Sequence, residues 1–143
     1  MCERTLVLLS GGLDSAVLVH FLRKELHGLV DHAIFFDRKQ GALVPETAAA
    51  KKVAKDAEIE LYEVSIREWR EKFPGKVPME TIPRNTIMSL LSIPYAAATG
   101  CSAIALGSNL DDAKTVDSNE KYFASFNALL DVCLLYTSPS PRD

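Results

Sequence analysis

Apolar residues gather in short uninterrupted blocks, and between the blocks they recur at the spacing of a helix face. Leu6-Val7-Leu8-Leu9 is an apolar run of strand length, and Ala16-Val17-Leu18-Val19-His20-Phe21-Leu22 reads as a buried helix that stops near His27-Gly28. Ala33-Ile34-Phe35-Phe36-Asp37 repeats the strand signature. Pro45-Glu46-Thr47 then opens a helix over 45–57, with proline in a tolerated first-turn position and an acidic residue at the positive end of the dipole. Its Lys51, Lys52 and Lys55 form a solvated face. Ile59-Glu60-Leu61-Tyr62-Glu63-Val64 alternates apolar and acidic positions, which predicts a strand with one exposed side. Strand, helix, strand, helix, strand is the order of an α/β domain: an open, mainly parallel sheet with right-handed crossovers and helices on both faces.

The second half changes character before it resumes the pattern. A short polar helix around Glu68-Trp69-Arg70 leads into a stretch holding Pro74, Pro78 and Pro83, the signature of a functional loop or lid within an α/β domain. For Trp69 itself packing is the expected role. Asn85 is a natural cap for the apolar helix that follows over 88–98, and Pro94 should kink or divide that helix. Ala103-Ile104-Ala105-Leu106-Gly107 predicts another buried strand, and 120–132 a helix with Tyr122, Phe123 and Phe126 facing inward. The last ten residues turn abruptly to Ser and Pro. Residues 1–133 are accordingly read as one domain, itself incomplete, and 134–143 as a non-native tail excluded from the fold.

Composition narrows the function classes. The chain has 143 residues, 48% of them hydrophobic, enough for one substantial core. Sixteen Lys plus Arg against nineteen Asp plus Glu give a formal charge of −3 with no basic stripe, so neither nucleic acid nor an anionic membrane is expected as a partner. No stretch reaches transmembrane length, and the N-terminal apolar run is short, is preceded by Glu3 and Arg4, and does not suit a signal peptide; a cytoplasmic protein is expected. Cys2, Cys101 and Cys133 are odd in number and far apart, which argues against a disulfide framework and against a self-contained zinc site.

The candidate chemistry sits where the first strand meets the first helix. Ser10-Gly11-Gly12-Leu13-Asp14-Ser15 joins them, and the two glycines allow the main chain close to a ligand. The first N–H groups of the helix lack internal acceptors, so the turn is an anion nest suited to phosphate. Asp14 is placed either to cap the helix or to help hold a divalent cation against phosphate oxygens. A Walker A loop would need a Lys before its final Ser/Thr, and the dinucleotide fingerprint a third Gly; neither is present.

The Ser-Gly-Gly-Leu-Asp-Ser stretch resembles the pyrophosphate loop of the ATP pyrophosphatase superfamily, whose members adenylate a carboxylate, carbonyl or related group and release pyrophosphate. The resemblance implies ATP and Mg2+, with ATP contacts at Ser10, Gly11, Gly12, Leu13, Asp14 and Ser15 and, near the adenine and ribose, Phe36 and Gln40. Taken alone, Phe35 and Phe36 are equally core residues and Arg38-Lys39 a solvated turn. Arg84 stands either to hold a carboxylate or phosphate in a plane, or to pair with a surface carboxylate.

Arg84-Asn85 after a proline-containing loop, opening a Leu-Ser-rich helix, is similar to the 7-cyano-7-deazaguanine synthase family within that superfamily. This resemblance implies an ATP-dependent ligase of queuosine biosynthesis that takes 7-carboxy-7-deazaguanine and ammonia. It assigns Asp14 and Arg84 to catalysis and Arg84, Asn85, Asn109 and Asp117 to the substrate. The acidic loop after Gly107, with Asp112 and Asp117, could equally be a metal site or plain loop solvation, and it reads Lys114-Thr115-Val116-Asp117 where the family has Gly-Tyr-Pro-Asp. The family's zinc-binding cysteine cluster has no counterpart, so no zinc site is expected in this chain; a homodimer is left open as an assembly.

Overall fold

A computed structural model of the chain describes residues 4–9, 13–25, 30–38, 43–78, 84–106 and 120–133. Strand β1 (Thr5–Leu8) is followed by helix α1 (Leu13–Glu25), β2 (His32–Asp37), α2 (Leu43–Asp56), β3 (Glu60–Ser65), the short α3 (Arg67–Glu71), α4 (Arg84–Ala98), β4 (Ala103–Leu106) and α5 (Glu120–Cys133). The strands form one four-stranded sheet in the order β3-β2-β1-β4, every neighbouring pair parallel. Leu6 stands opposite His32 on one side and Ile104 on the other, which fixes the register across the middle of the sheet.

Alternation along the strands divides the core in two, because successive side chains of a strand point to opposite faces. Val7, Leu9, Ala33 and Phe35 face Val19 of α1 and Ala50 and Ala54 of α2. Leu6, Leu8, Ile34 and Phe36 face the other way, onto Ala96, Met88 and Tyr95 of α4. Both faces being covered explains why β1 and β2 are continuous apolar blocks rather than alternating ones. β3 does alternate, and its burial runs between exposed and half-buried, as the acidic spacing of Glu60 and Glu63 implies. The expected α/β class, with a parallel sheet between two helical layers, is what the chain forms.

Two local expectations are corrected. Asn85 does not cap the helix over 88–98: α4 begins earlier, at Arg84, and Asn85 is its second residue. Arginine is a good helix former, so it enters the first turn itself. Pro94 does not divide α4, which runs from Arg84 to Ala98 with the proline inside it. Pro94 lacks the amide that would serve the Leu90 carbonyl, but Leu90 is exposed, and water can meet that acceptor. The helix ends where Gly100 takes φ +75°, the left-handed conformation that glycine accepts most readily, and the Cys101 amide donates back to the Ala96 carbonyl at 2.8 Å.

The aromatic face expected on 120–132 is present in α5. Tyr122, Phe123 and Phe126 are half-buried, Tyr122 meeting Phe123 edge to face and Phe126 at a tilt, and the Tyr122 hydroxyl lies 2.6 Å from Thr86 Oγ1 of α4. No helix among the described residues is long and apolar enough to cross a membrane.

Candidate functional site

In a parallel sheet all carboxyl ends leave the same edge, and ligands gather there at the point where strand order reverses. In this sheet β1 leads to β2 and β3 on one side while β4 lies on the other, so the reversal falls at β1. The chain leaves β1 through Leu9, whose amide donates to the Ile34 carbonyl at 2.9 Å, and α1 begins at Leu13. The end of β1 and the start of α1 thus both lie at the reversal point, and in the sequence Ser10-Gly11-Gly12 falls between them.

Leu13 and Asp14 are the first two residues of α1, and Ser15 is the third, buried at 3% exposure. Their main-chain N–H groups belong to the first turn, which carries the positive end of the helix dipole. This end of the helix favours an anion. Ser10, Gly11, Gly12, Gln40, Asn109 and Asp117 lie outside the described residues. Phe36 belongs to the core between the sheet and α4, so its side chain is committed to packing.

Beside the reversal point, at the carboxyl ends of β2 and β3, an open cleft of about 330 Å³ is lined by Arg38, Ile66, Trp69, Arg70, Arg84, Ile87 and Met88. Each wall has a local origin. Arg38 is the first residue beyond β2; Ile66 follows β3, and its amide donates to the Asp37 carbonyl at 2.9 Å. Trp69 and Arg70 come from α3, where Trp69 meets Phe73 edge to face at 4.8 Å and Arg70 Nη1 donates to the Arg38 carbonyl at 2.8 Å. Arg84, Ile87 and Met88 are the first turn of α4, with Arg84 exposed and Asn85 half-buried.

The electrostatics favour an anion. Burial lowers the Arg38 pKa from its usual value, the nearby Arg84 and Arg70 lower it further, and Glu46 of α2 opposes them. An arginine remains protonated through such a shift. Its cause shows that guanidinium groups from three elements share one field, which an incoming carboxylate or phosphate would relieve. Ile66, Ile87 and Met88 supply an apolar floor and Trp69 a half-exposed ring, a combination suited to a flat ligand carrying negative charge.

Sequence reasoning singled out Arg84 but passed over Arg38 and Arg70. Arg38 had one usable signal, its place just after a buried strand in a parallel sheet. Arg70 had none, because its role follows from α3 folding back over the end of β2.

The asparagine synthase family model matches residues 3–77. A 7-cyano-7-deazaguanine synthase of Methanothermobacter thermautotrophicus is 27% identical over 154 aligned residues, covering 90% of this chain and 68% of its own length. One from Rhizorhabdus wittichii is 33% identical over 148, covering 91% and 63%. The chain thus spans about two thirds of these curated relatives. Among solved structures, the tRNA thiolase NcsA of Methanococcus maripaludis aligns with a TM-score of 0.62 at 17% identity over 97% of this chain and 59% of its own. The NH3-dependent NAD synthetase of Campylobacter jejuni aligns at 0.57 and 15% over 86% and 68%. At such identities these two establish the fold, that of the adenine nucleotide alpha hydrolases. With its match over residues 3–77, the chain belongs to the asparagine synthase family, a PP-loop family, and over most of its length it is similar to proteins named 7-cyano-7-deazaguanine synthase.

Proposed function

We propose that the chain carries the ATP-binding and acid-activating part of a 7-cyano-7-deazaguanine synthase. The observation that supports this reading is that β1 and α1 meet at the reversal of strand order, with Ser10-Gly11-Gly12 between them in the sequence. The name shared by the relatives supplies the substrate, 7-carboxy-7-deazaguanine, and the arginine cleft offers a place for a flat acid beside the nucleotide.

In this reading the main-chain amides of the β1–α1 turn, with Ser10 and Ser15, hold the β- and γ-phosphates of ATP. Asp14 is the residue that would hold Mg2+, which, when bound, neutralises charge on the phosphate oxygens. Arg84, with Arg38 and Arg70 behind it, orients the substrate carboxylate. An oxygen of that carboxylate attacks the α-phosphorus of ATP; the bond to the β-phosphate breaks, giving an acyl-adenylate and pyrophosphate. Ammonia displaces AMP to give the amide. The amide oxygen then attacks the α-phosphorus of a second ATP, releasing pyrophosphate, and loss of AMP with that oxygen and of the two amide protons to solvent leaves the nitrile. The protein contributes position and charge rather than a nucleophile. Asn85, Asn109 and Asp117 are proposed to contact the base.

The test is ATP–pyrophosphate exchange with and without 7-carboxy-7-deazaguanine. Exchange that depends on this acid is expected. ATP binding without exchange would leave a nucleotide-binding module, and exchange driven by another acceptor would move the chain elsewhere in the superfamily.

A further inference from the structure

The opposite edge of the sheet, where the strands begin, holds a second cluster that the proposed chemistry does not use. Asp31 precedes β2 and His32 opens it, Glu60 opens β3, and Cys101 precedes β4. A carboxylate oxygen of Asp31, a ring nitrogen of His32 and the sulfur of Cys101 lie within 4.8 Å of one another. His32 is half-buried and Cys101 buried, so two of the three groups are withdrawn from bulk solvent. We propose that Asp31, His32 and Cys101 bind a divalent transition-metal ion of the zinc type, with water as a fourth ligand.

The donor set decides the metal class. One imidazole nitrogen, one thiolate and one carboxylate suit Zn2+ or Co2+, whereas Mg2+ and Ca2+ require oxygen ligands. Ligands around a tetrahedral zinc stand roughly 3.5 Å apart, so binding would draw these atoms, now within 4.8 Å of one another, closer together. Asp31 and His32 already share a hydrogen bond of 2.7 Å between Oδ1 and Nδ1, and a cation held by both takes the place of that proton.

The surroundings are arranged as an outer shell. Thr99 Oγ1 lies 3.3 Å from Cys101 Sγ, in position to donate to the sulfur once it is a thiolate. Tyr62 stacks flat against His32, ring centres 5.9 Å apart and planes 7° apart. Glu60 Oε2 lies 3.7 Å from His32 Nε2, able to hold the far side of the ring. Charge agrees as well. Asp31, Glu60 and a Cys101 thiolate set three negative charges against the guanidinium of Arg4, which pairs with Asp31, and a divalent ion balances the remainder. The carboxyl end of α4, the negative end of its dipole, lies beside Cys101. Binding releases the thiol proton to solvent as the metal–sulfur bond forms.

The test titrates Co2+ into the reduced, metal-stripped 143-residue chain carrying Cys2→Ser and Cys133→Ser, which leaves Cys101 as its only thiol. Saturation at a single equivalent is expected, with a near-ultraviolet sulfur-to-cobalt band and the visible bands of four-coordinate cobalt. Zn2+ should erase both, and excess Mg2+ should leave them unchanged. His32→Gln should weaken Co2+ binding by more than about tenfold, and Cys101→Ser should delete the sulfur band. Circular dichroism checks that each variant is folded; if Cys101→Ser unfolds, Asp31→Asn replaces it, with a similar loss of affinity expected. A folded chain without a saturable sulfur band, or undiminished binding in His32→Gln, overturns the proposal. ATP binding is read on the same samples, so failure here stays separate from failure of the nucleotide site.

Discussion

The two edges of the sheet are built from the same strands and have opposite electrical character. At the carboxyl edge Arg38, Arg70 and Arg84 surround an open cleft; at the amino edge Asp31, His32 and Cys101 are drawn together, with Glu60 beside His32 and Arg4 paired to Asp31. The difference follows from the polarity of a parallel βα arrangement. Helices that return the chain run against the strands, so their positive N-termini stand where strands end and their negative C-termini where strands begin. An anion is favoured at one edge and a cation at the other before any side chain is considered. The side chains reinforce a bias that the backbone already carries.

The sharpest way to break this comparison is to weaken what both edges share. Ile34 is fully buried at the centre of β2, and Ile34→Ala should cost about 2–5 kcal/mol in chemical unfolding and loosen both edges together. Next come changes confined to the carboxyl edge. Arg84→Ala should lower acid-dependent exchange about 10–100-fold while ATP affinity, measured by calorimetry, changes little. Asp14→Ala and Ser15→Ala should do the reverse, weakening ATP binding roughly tenfold; unchanged affinity in both would remove the phosphate nest. Smaller still, Arg4→Met at the amino edge should cost under about 1 kcal/mol, since its pair with Asp31 is partly exposed to solvent. Glu58 holds φ 57° just beyond α2, and Glu58→Gly should raise stability by about 0.5 kcal/mol without touching either edge.

The alternation of strand and helix was legible because burial on both faces writes itself into the sequence as unbroken apolar blocks: Leu6–Leu9 and Ala33–Phe36 could hardly be anything else. The placement of Ser15 at the head of α1 was legible for a similar reason, since strand, glycine turn and helix are neighbours in the chain. What distant segments create together was not legible. Arg38, Arg70 and Arg84 come from the ends of β2, α3 and α4, and no local spacing announces that they share a field. Cysteine spacing argued against a self-contained zinc site, yet spacing along the chain is silent about a sheet that sets Cys101 beside His32. Asn85 misled because cap preference is a local tendency, and Arg84 was free to start the helix first.

The bond between Thr86 and Tyr122 has one further consequence. It fastens the first turn of α5 to α4, while Leu129 and Val132 farther along α5 are exposed. With its later turns exposed, α5 should open on its own, well below the cost of melting the sheet. Deuterium should therefore reach the amides of α5 long before those of β1 and β2, marking this helix as the first part of the chain to come undone.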